Sequence, residues 1–225
     1  MAKHKHKITK KEMKEDKFVS TVVEGAAYAR ENTQNVIIVV LIFLVLIIGV
    51  VIWRSYRSNR LDAAKTKLGI AQIAYATGQF GECRDSLIAL TNNYPSTESA
   101  KVGLFLLGHI YYAMESNDSA GMFWQRFLDS EFADNDLRAA AQAGLAAIMS
   151  DKGSYADAAR AFERCYQEYP DYFDRGNWLY MAAQNYRAAG EIDKSKELFK
   201  KYIDENGNSP MVDRVQMILA EMEAR

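Results

Sequence analysis

The sequence predicts an all-α chain: an N-terminal transmembrane helix, then an α-solenoid of about four helical hairpins, closed by a C-terminal capping helix. Three observations carry that expectation. Val36 to Trp53 are eighteen consecutive uncharged positions, nearly all aliphatic or aromatic. The chain after them repeats every 37 or 38 residues, and one more amphipathic segment follows the last repeat.

As a helix rising about 1.5 Å per residue, the apolar run reaches about 27 Å, close to the roughly 30 Å hydrocarbon thickness of a bilayer. A cleaved signal peptide has a short basic start and a small-residue cleavage site. Here 35 residues precede the run, and Trp53-Arg54-Ser55-Tyr56-Arg57 follows it. Aromatics suit the membrane interface and arginines the headgroups, so the segment reads as an uncleaved anchor. The first cysteine, Cys83, lies too far along for lipid attachment.

Charge divides the chain at the same place. Residues 1–60 hold 11 Lys and Arg against 5 acidic residues, net plus 6; residues 61–225 hold 17 against 24, net minus 7. Basic residues flank both ends of the span. Lys3 to Arg30 lie before it, and Arg54, Arg57, Arg60, Lys65 and Lys67 follow closely. Exporting the basic tail would work against an inside-negative potential at about 2.3 kcal/mol per charge per 100 mV, whereas the acidic domain would be helped outward. The expectation is a single-pass membrane protein, N-terminus in and C-terminus out; the arginines after the span pull the other way.

The organisation follows: a basic tail with a short amphipathic helix (1–35), the anchor (36–53), a juxtamembrane linker or helix start (54–63) and the repeat domain (64–225). In the tail, Phe18, Val19, Val22, Val23, Ala26 and Ala27 recur at helical spacing beside Lys14, Asp16, Lys17 and Glu24. This segment either lies on the inner leaflet, docks on a membrane partner or merely extends the span. The Lys3-His4-Lys5-His6-Lys7 start is no metal tract, because its lysines repel cations.

The repeats are GQFGECRDSLIALTNNYP from Gly78, ESNDSAGMFWQRFLDSEF from Glu115, GSYADAARAFERCYQEYP from Gly153 and GEIDKSKELFKKYIDENG from Gly190. Their small residues, Cys83, Ala120, Ala158 and Ser195, are 37, 38 and 37 apart, and a large apolar residue follows each by four: Leu87, Trp124, Phe162, Phe199. An apolar helical stretch precedes each segment, so the period is one helical hairpin. Small residues let paired helices cross closely, and large ones plug the gap to the next hairpin. Gly78, Gly153 and Gly190 stand where the first helix must end in a left-handed backbone. Repeats start near 64, 101, 139 and 176. Val212, Val215, Ile218, Leu219 and Met222 mark the capping helix within 210–225.

These residues resemble the tetratricopeptide repeat, W-x2-L-G-x2-Y, then A-x3-F, then P. Leu107-Gly108 and Tyr111 with Ala120 and Trp124 fit the second repeat, Tyr155, Ala158, Phe162 and Pro170 the third, and Ala182 and Tyr186 the fourth. Pro95 and Pro170 close their repeats; Phe132 and Gly207 stand where proline is expected. The resemblance implies a concave peptide-binding surface at the second, fifth, ninth and twelfth residues of each repeat. On this chain those positions include Gln72, Tyr75, Phe105, His109, Tyr112, Asn177, Tyr180, Gln184 and Arg187 as the candidate groove. A register shift of one would instead place Phe105, Tyr112 and Tyr180 in the core. In the third repeat the matching Ala140, Ala143 and Ala147 mean either close helix packing or burial under a terminal helix.

No catalytic, cofactor or metal site is expected, and the chain does not read as an enzyme. His4 and His6 lie in the tail and His109 stands apart from other ligand-type residues. No phosphate-binding glycine motif occurs. Cys83 and Cys165 occupy small-residue positions two repeats apart, too distant for a disulfide. A net-negative domain without a basic stripe excludes nucleic acid.

The junction Trp53-Arg54-Ser55-Tyr56 and Asp62-Ala63-Ala64-Lys65 is similar to the ancillary subunits of the bacterial Sec translocon, single-span proteins with a periplasmic tetratricopeptide-like domain. That resemblance implies partners among translocon subunits and periplasmic chaperones. An adaptor of a division or outer-membrane assembly complex, or a cytosol-facing receptor, are the other readings.

Overall fold

The computed structural model describes residues 20, 21, 23, 25, 26 and 29–224. Most of the expected amphipathic tail helix, including Phe18, Val19, Val22 and Ala27, lies outside the described residues, as does the basic tail before it. Among the described residues every regular element is a helix.

Helix α1 (Thr33–Ala76) is continuous through the 54–63 stretch. It begins in one compact unit, ending at Asn59, and finishes in a second, beginning at Arg60. In the first unit Ile37 to Trp53 are exposed around the whole helix, Phe43 at 64% and Val45 at 68%, and the most apolar eighteen residues have a mean hydropathy of 3.6. A helix apolar on every side has no core face to turn inward; this one is long and apolar enough to cross a membrane. The Arg57 guanidinium lies 5.7 Å from the Trp53 ring.

The second unit continues with α2 (Phe80–Asn93), α3 (Glu98–Ala113), α4 (Asn117–Leu128), α5 (Asn135–Asp151), α6 (Tyr155–Glu168), α7 (Arg175–Ala188), α8 (Ile192–Glu205) and α9 (Val212–Glu223). From α2 onward each helix packs on the next, and α3 also touches α5, the first helix of the following hairpin. Ala64, Ala71 and Ala74 of α1 join Cys83, Leu87 and Leu90 in one core cluster. A second centres on Trp124 and Phe127, and a third runs from Ala139 to Met222. This segmented core is what a solenoid requires, since each hairpin buries its apolar faces only against neighbours.

The repeat is visible in burial. Cys83, Ala120, Ala158 and Ser195 are all 0% exposed, and Leu87, Trp124, Phe162 and Phe199 do not exceed 3%. The Ser195 hydroxyl, the polar member, donates to the Ala183 carbonyl at 2.8 Å, so it is buried without an unsatisfied donor. The two cysteines are free and lie in different clusters.

Turns repeat too. Gly78, Gly153 and Gly190 have φ of 75°, 78° and 81°, and the second hairpin places Glu115 at φ 57° in their stead. The following amide closes each turn on the first helix, as Ser116 N–H does on the Tyr111 carbonyl at 2.8 Å and Glu191 N–H on that of Tyr186 at 2.9 Å. Thr97 and Asp134 cap α3 and α5 by accepting from Ala100 N–H at 3.2 Å and Leu137 N–H at 3.0 Å.

Candidate functional site

The surface of interest is built on the first helices of the hairpins, whose residues divide between the core and the open face. Trp124 organises the middle. A Cβ on Gly108 of α3 would overlap its indole, and one on Gly144 of α5 would come within 2.6 Å of it, so two glycines seat the ring between successive hairpins. Against that ring stand His109 at 5.2 Å, edge-on, and Tyr112 at 5.7 Å.

Phe105, expected on the groove, is instead 7% exposed, 5.4 Å from the Phe127 ring and 4.6 Å from His109. The correction has a simple cause. A solenoid helix is covered on two sides, leaving a narrow open strip, and Phe105 falls on the covered edge. His109 and Tyr112 remain half-buried at the rim. Burial lowers the His109 pKa by disfavouring the charged imidazolium. Burial, then hydrogen bonding and charge from Asp151, hold the Tyr112 hydroxyl above the usual tyrosine range.

The other candidates form local groups. Gln72 is exposed on α1, with Tyr75 40% exposed and its ring edge-on to Phe80 at 5.7 Å. On α7, the Gln184 amide donates to the Tyr180 hydroxyl at 2.7 Å, and the Tyr180 ring lies 6.0 Å from Phe199. Asn177 is exposed, and Arg187 borders a recess of about 690 Å³ with Ile192, Lys196, Glu221 and Met222. Between these groups Ala143 is 8% exposed and Ala147 half-buried, both in the core that also takes Tyr180, so the third-repeat alanines serve helix packing.

Two further recesses border α6, one of about 610 Å³ lined by Met149, Ser154, Asp157, Arg160 and Glu163, the other of about 280 Å³ lined by Gln142, Leu145, Ala161 and Arg164. The repeat pattern holds no signal for them, because they depend on how far neighbouring hairpins splay. Among the described residues no group of three or more His, Cys, Asp or Glu could hold a metal ion. Half-buried aromatics beside amides and one guanidinium can take an extended peptide, its backbone hydrogen-bonded and its apolar side chains against the rings.

A family model described as a tetratricopeptide repeat-like domain matches residues 27–175, and a tetratricopeptide repeat model matches residues 149–220. No curated protein matches. Among solved structures, MamA 41-end from Desulfovibrio magneticus RS-1 is 17% identical with a TM-score of 0.58, over 72% of this chain and 84% of that one. A tetratricopeptide repeat protein from Parabacteroides merdae ATCC 43184 is 16% identical with a TM-score of 0.61, over 72% of this chain and 60% of its own. PilF of Pseudomonas aeruginosa is 16% identical with a TM-score of 0.55, over 73% and 69%. At such identities the likeness concerns the fold.

Proposed function

The chain belongs to the tetratricopeptide repeat-like domain family, and from that premise we propose that it is a membrane-anchored scaffold at the bacterial inner membrane. Its repeat domain faces the periplasm and binds peptide segments of proteins emerging from, or belonging to, the Sec translocon and its chaperones. The observation that carries the reading is one helix exposed on every face from Ile37 to Trp53 and continuous with the first helix of the repeat domain. Tethering alone raises the effective concentration of a weak groove beside its clients. Supporting the translocon as partner is the Trp53-Arg54 and Asp62-Ala63-Ala64-Lys65 junction; supporting the orientation is the charge split between net plus 6 and net minus 7. Gln72, Tyr75, His109, Tyr112, Asn177, Tyr180, Gln184 and Arg187 are the groove residues of this proposal. Affinity capture of the full-length protein from membranes in mild detergent tests it. Translocon subunits co-purify at near-stoichiometric yield if the reading holds, and their absence removes the translocon from it.

A further inference from the structure

The loop from α6 to α7 carries a stack of rings that leaves the core and ends in water. Trp178 is 5% exposed; Tyr172 lies flat against it, centroids 4.3 Å apart and planes 17° from parallel; Phe173 follows at 4.7 Å from Tyr172 and is 89% exposed. No large apolar residue of the membrane-type run exceeds 68%. Tyr169, which precedes its loop's proline as Tyr94 does, packs half-buried against its core as Tyr94 and Phe132 do against theirs, and Phe173 lies beyond it. Folding therefore leaves Phe173 uncovered while fixing the ring beneath it.

The ground around this prong is acidic. Asp171 and Asp174 are exposed in the loop, and Asp136 is exposed in the first turn of α5. Burial first, then the charges of Asp174 and Asp136, hold the Tyr172 hydroxyl above the ordinary tyrosine range. Nearby cations are engaged elsewhere: Arg175 lies over the Tyr166 ring at 4.1 Å, and Arg138 donates to the Leu128 carbonyl at 3.0 Å. An exposed ring face among carboxylates attracts a cation and repels anionic lipid.

We propose that the Tyr172–Phe173 prong is a docking surface for a basic peptide segment, with an arginine side chain lying on the Phe173 ring and pairing with Asp171 or Asp174. Guanidinium fits both features, being planar enough to stack and forked to match a carboxylate. The surface uses none of the groove residues, so it stands whether or not the groove binds peptides.

The test is fluorescence anisotropy of a labelled arginine–leucine peptide titrated with the full-length protein in neutral detergent, alongside the same peptide with glutamate for arginine. Binding of the arginine peptide weakens with salt, and Phe173→Ser weakens it by about tenfold or more. Asp171→Asn with Asp174→Asn does likewise and flattens the salt dependence, whereas Gln184→Ala leaves the affinity unchanged. Phe173 supports nothing in the fold, so an unchanged melting curve accompanies its replacement. The proposal is overturned if the arginine peptide does not bind, if the glutamate peptide binds equally, if Phe173→Ser leaves the affinity within twofold, or if Phe173 drives binding to phosphatidylglycerol vesicles instead.

Discussion

The apolar run of α1 and the repeat domain both draw heavily on aliphatic and aromatic side chains, yet they use them in opposite ways. Phe43 and Val45 stand 64% and 68% exposed, while Leu87, Leu90, Phe127 and Phe199 are 0% exposed. The first region is apolar at every position and matches a hydrocarbon solvent; the second is apolar at helical spacing and makes its own. Pattern, more than composition, decides which environment a helix requires.

Substitutions in the two regions separate these uses of apolar side chains. The largest effect falls on the repeat core: Trp124→Ala lowers stability by about 3–5 kcal/mol in chemical denaturation, with hydrogen exchange rising first in α3 to α5, where its contacts lie. A charge in the run acts on membrane insertion alone. Leu44→Arg costs about 2.5–3.5 kcal/mol of insertion free energy, read in a translocon-insertion assay, while thermal unfolding of the repeat domain stays where it was. Gly144→Ala forces a methyl into the Trp124 ring and costs about 1–3 kcal/mol, whereas at Gly121 the nearest atom to a new Cβ is Ile148 Cδ1 at 3.6 Å, and Ala there leaves the melting temperature unchanged or slightly raised.

At the other end of the solenoid, tyrosines replace the glycine–tryptophan seam. Tyr166 donates to Glu205 at 2.5 Å and Tyr186 to Glu163 at 2.9 Å. Burial first, then the hydrogen bond and charge of the carboxylate, push both phenols up to about 12 from an ordinary 10.0. Both must stay neutral in the fold, so their contribution is complete below about pH 10 and is lost between about pH 10 and 12. Tyr166→Phe with Tyr186→Phe shallows the alkaline limb of a stability-versus-pH curve while lowering stability at neutral pH by about 1–3 kcal/mol per bond. Smallest is Glu115→Gly, which relieves a left-handed residue and raises stability by about 0.5–1 kcal/mol, seen as a higher melting temperature.

Much of this was legible in the chain. The 37- and 38-residue spacing identified the small and large residues that pair across helices, because burial there depends on helical period alone. Phe105 was misplaced because one helical position, about 100° of rotation, separates the open strip from the core, and the repeat pattern does not resolve that edge. Gly144 escaped notice because its role lies in a neighbour's tryptophan. Glu115 stands in the alignment where the other repeats have glycine, so its left-handed backbone was implied by the period although not by the residue's own preference. The Tyr172–Phe173 prong belongs to no period at all.

The most direct test of a periplasmic repeat scaffold on a membrane anchor is a dual reporter fused after Arg225 in the full-length chain. Alkaline phosphatase, active only outside the cytoplasm, is fully active in that position if the basic tail stays inside; a fluorescent protein active only in the cytoplasm, together with a silent phosphatase, would contradict it.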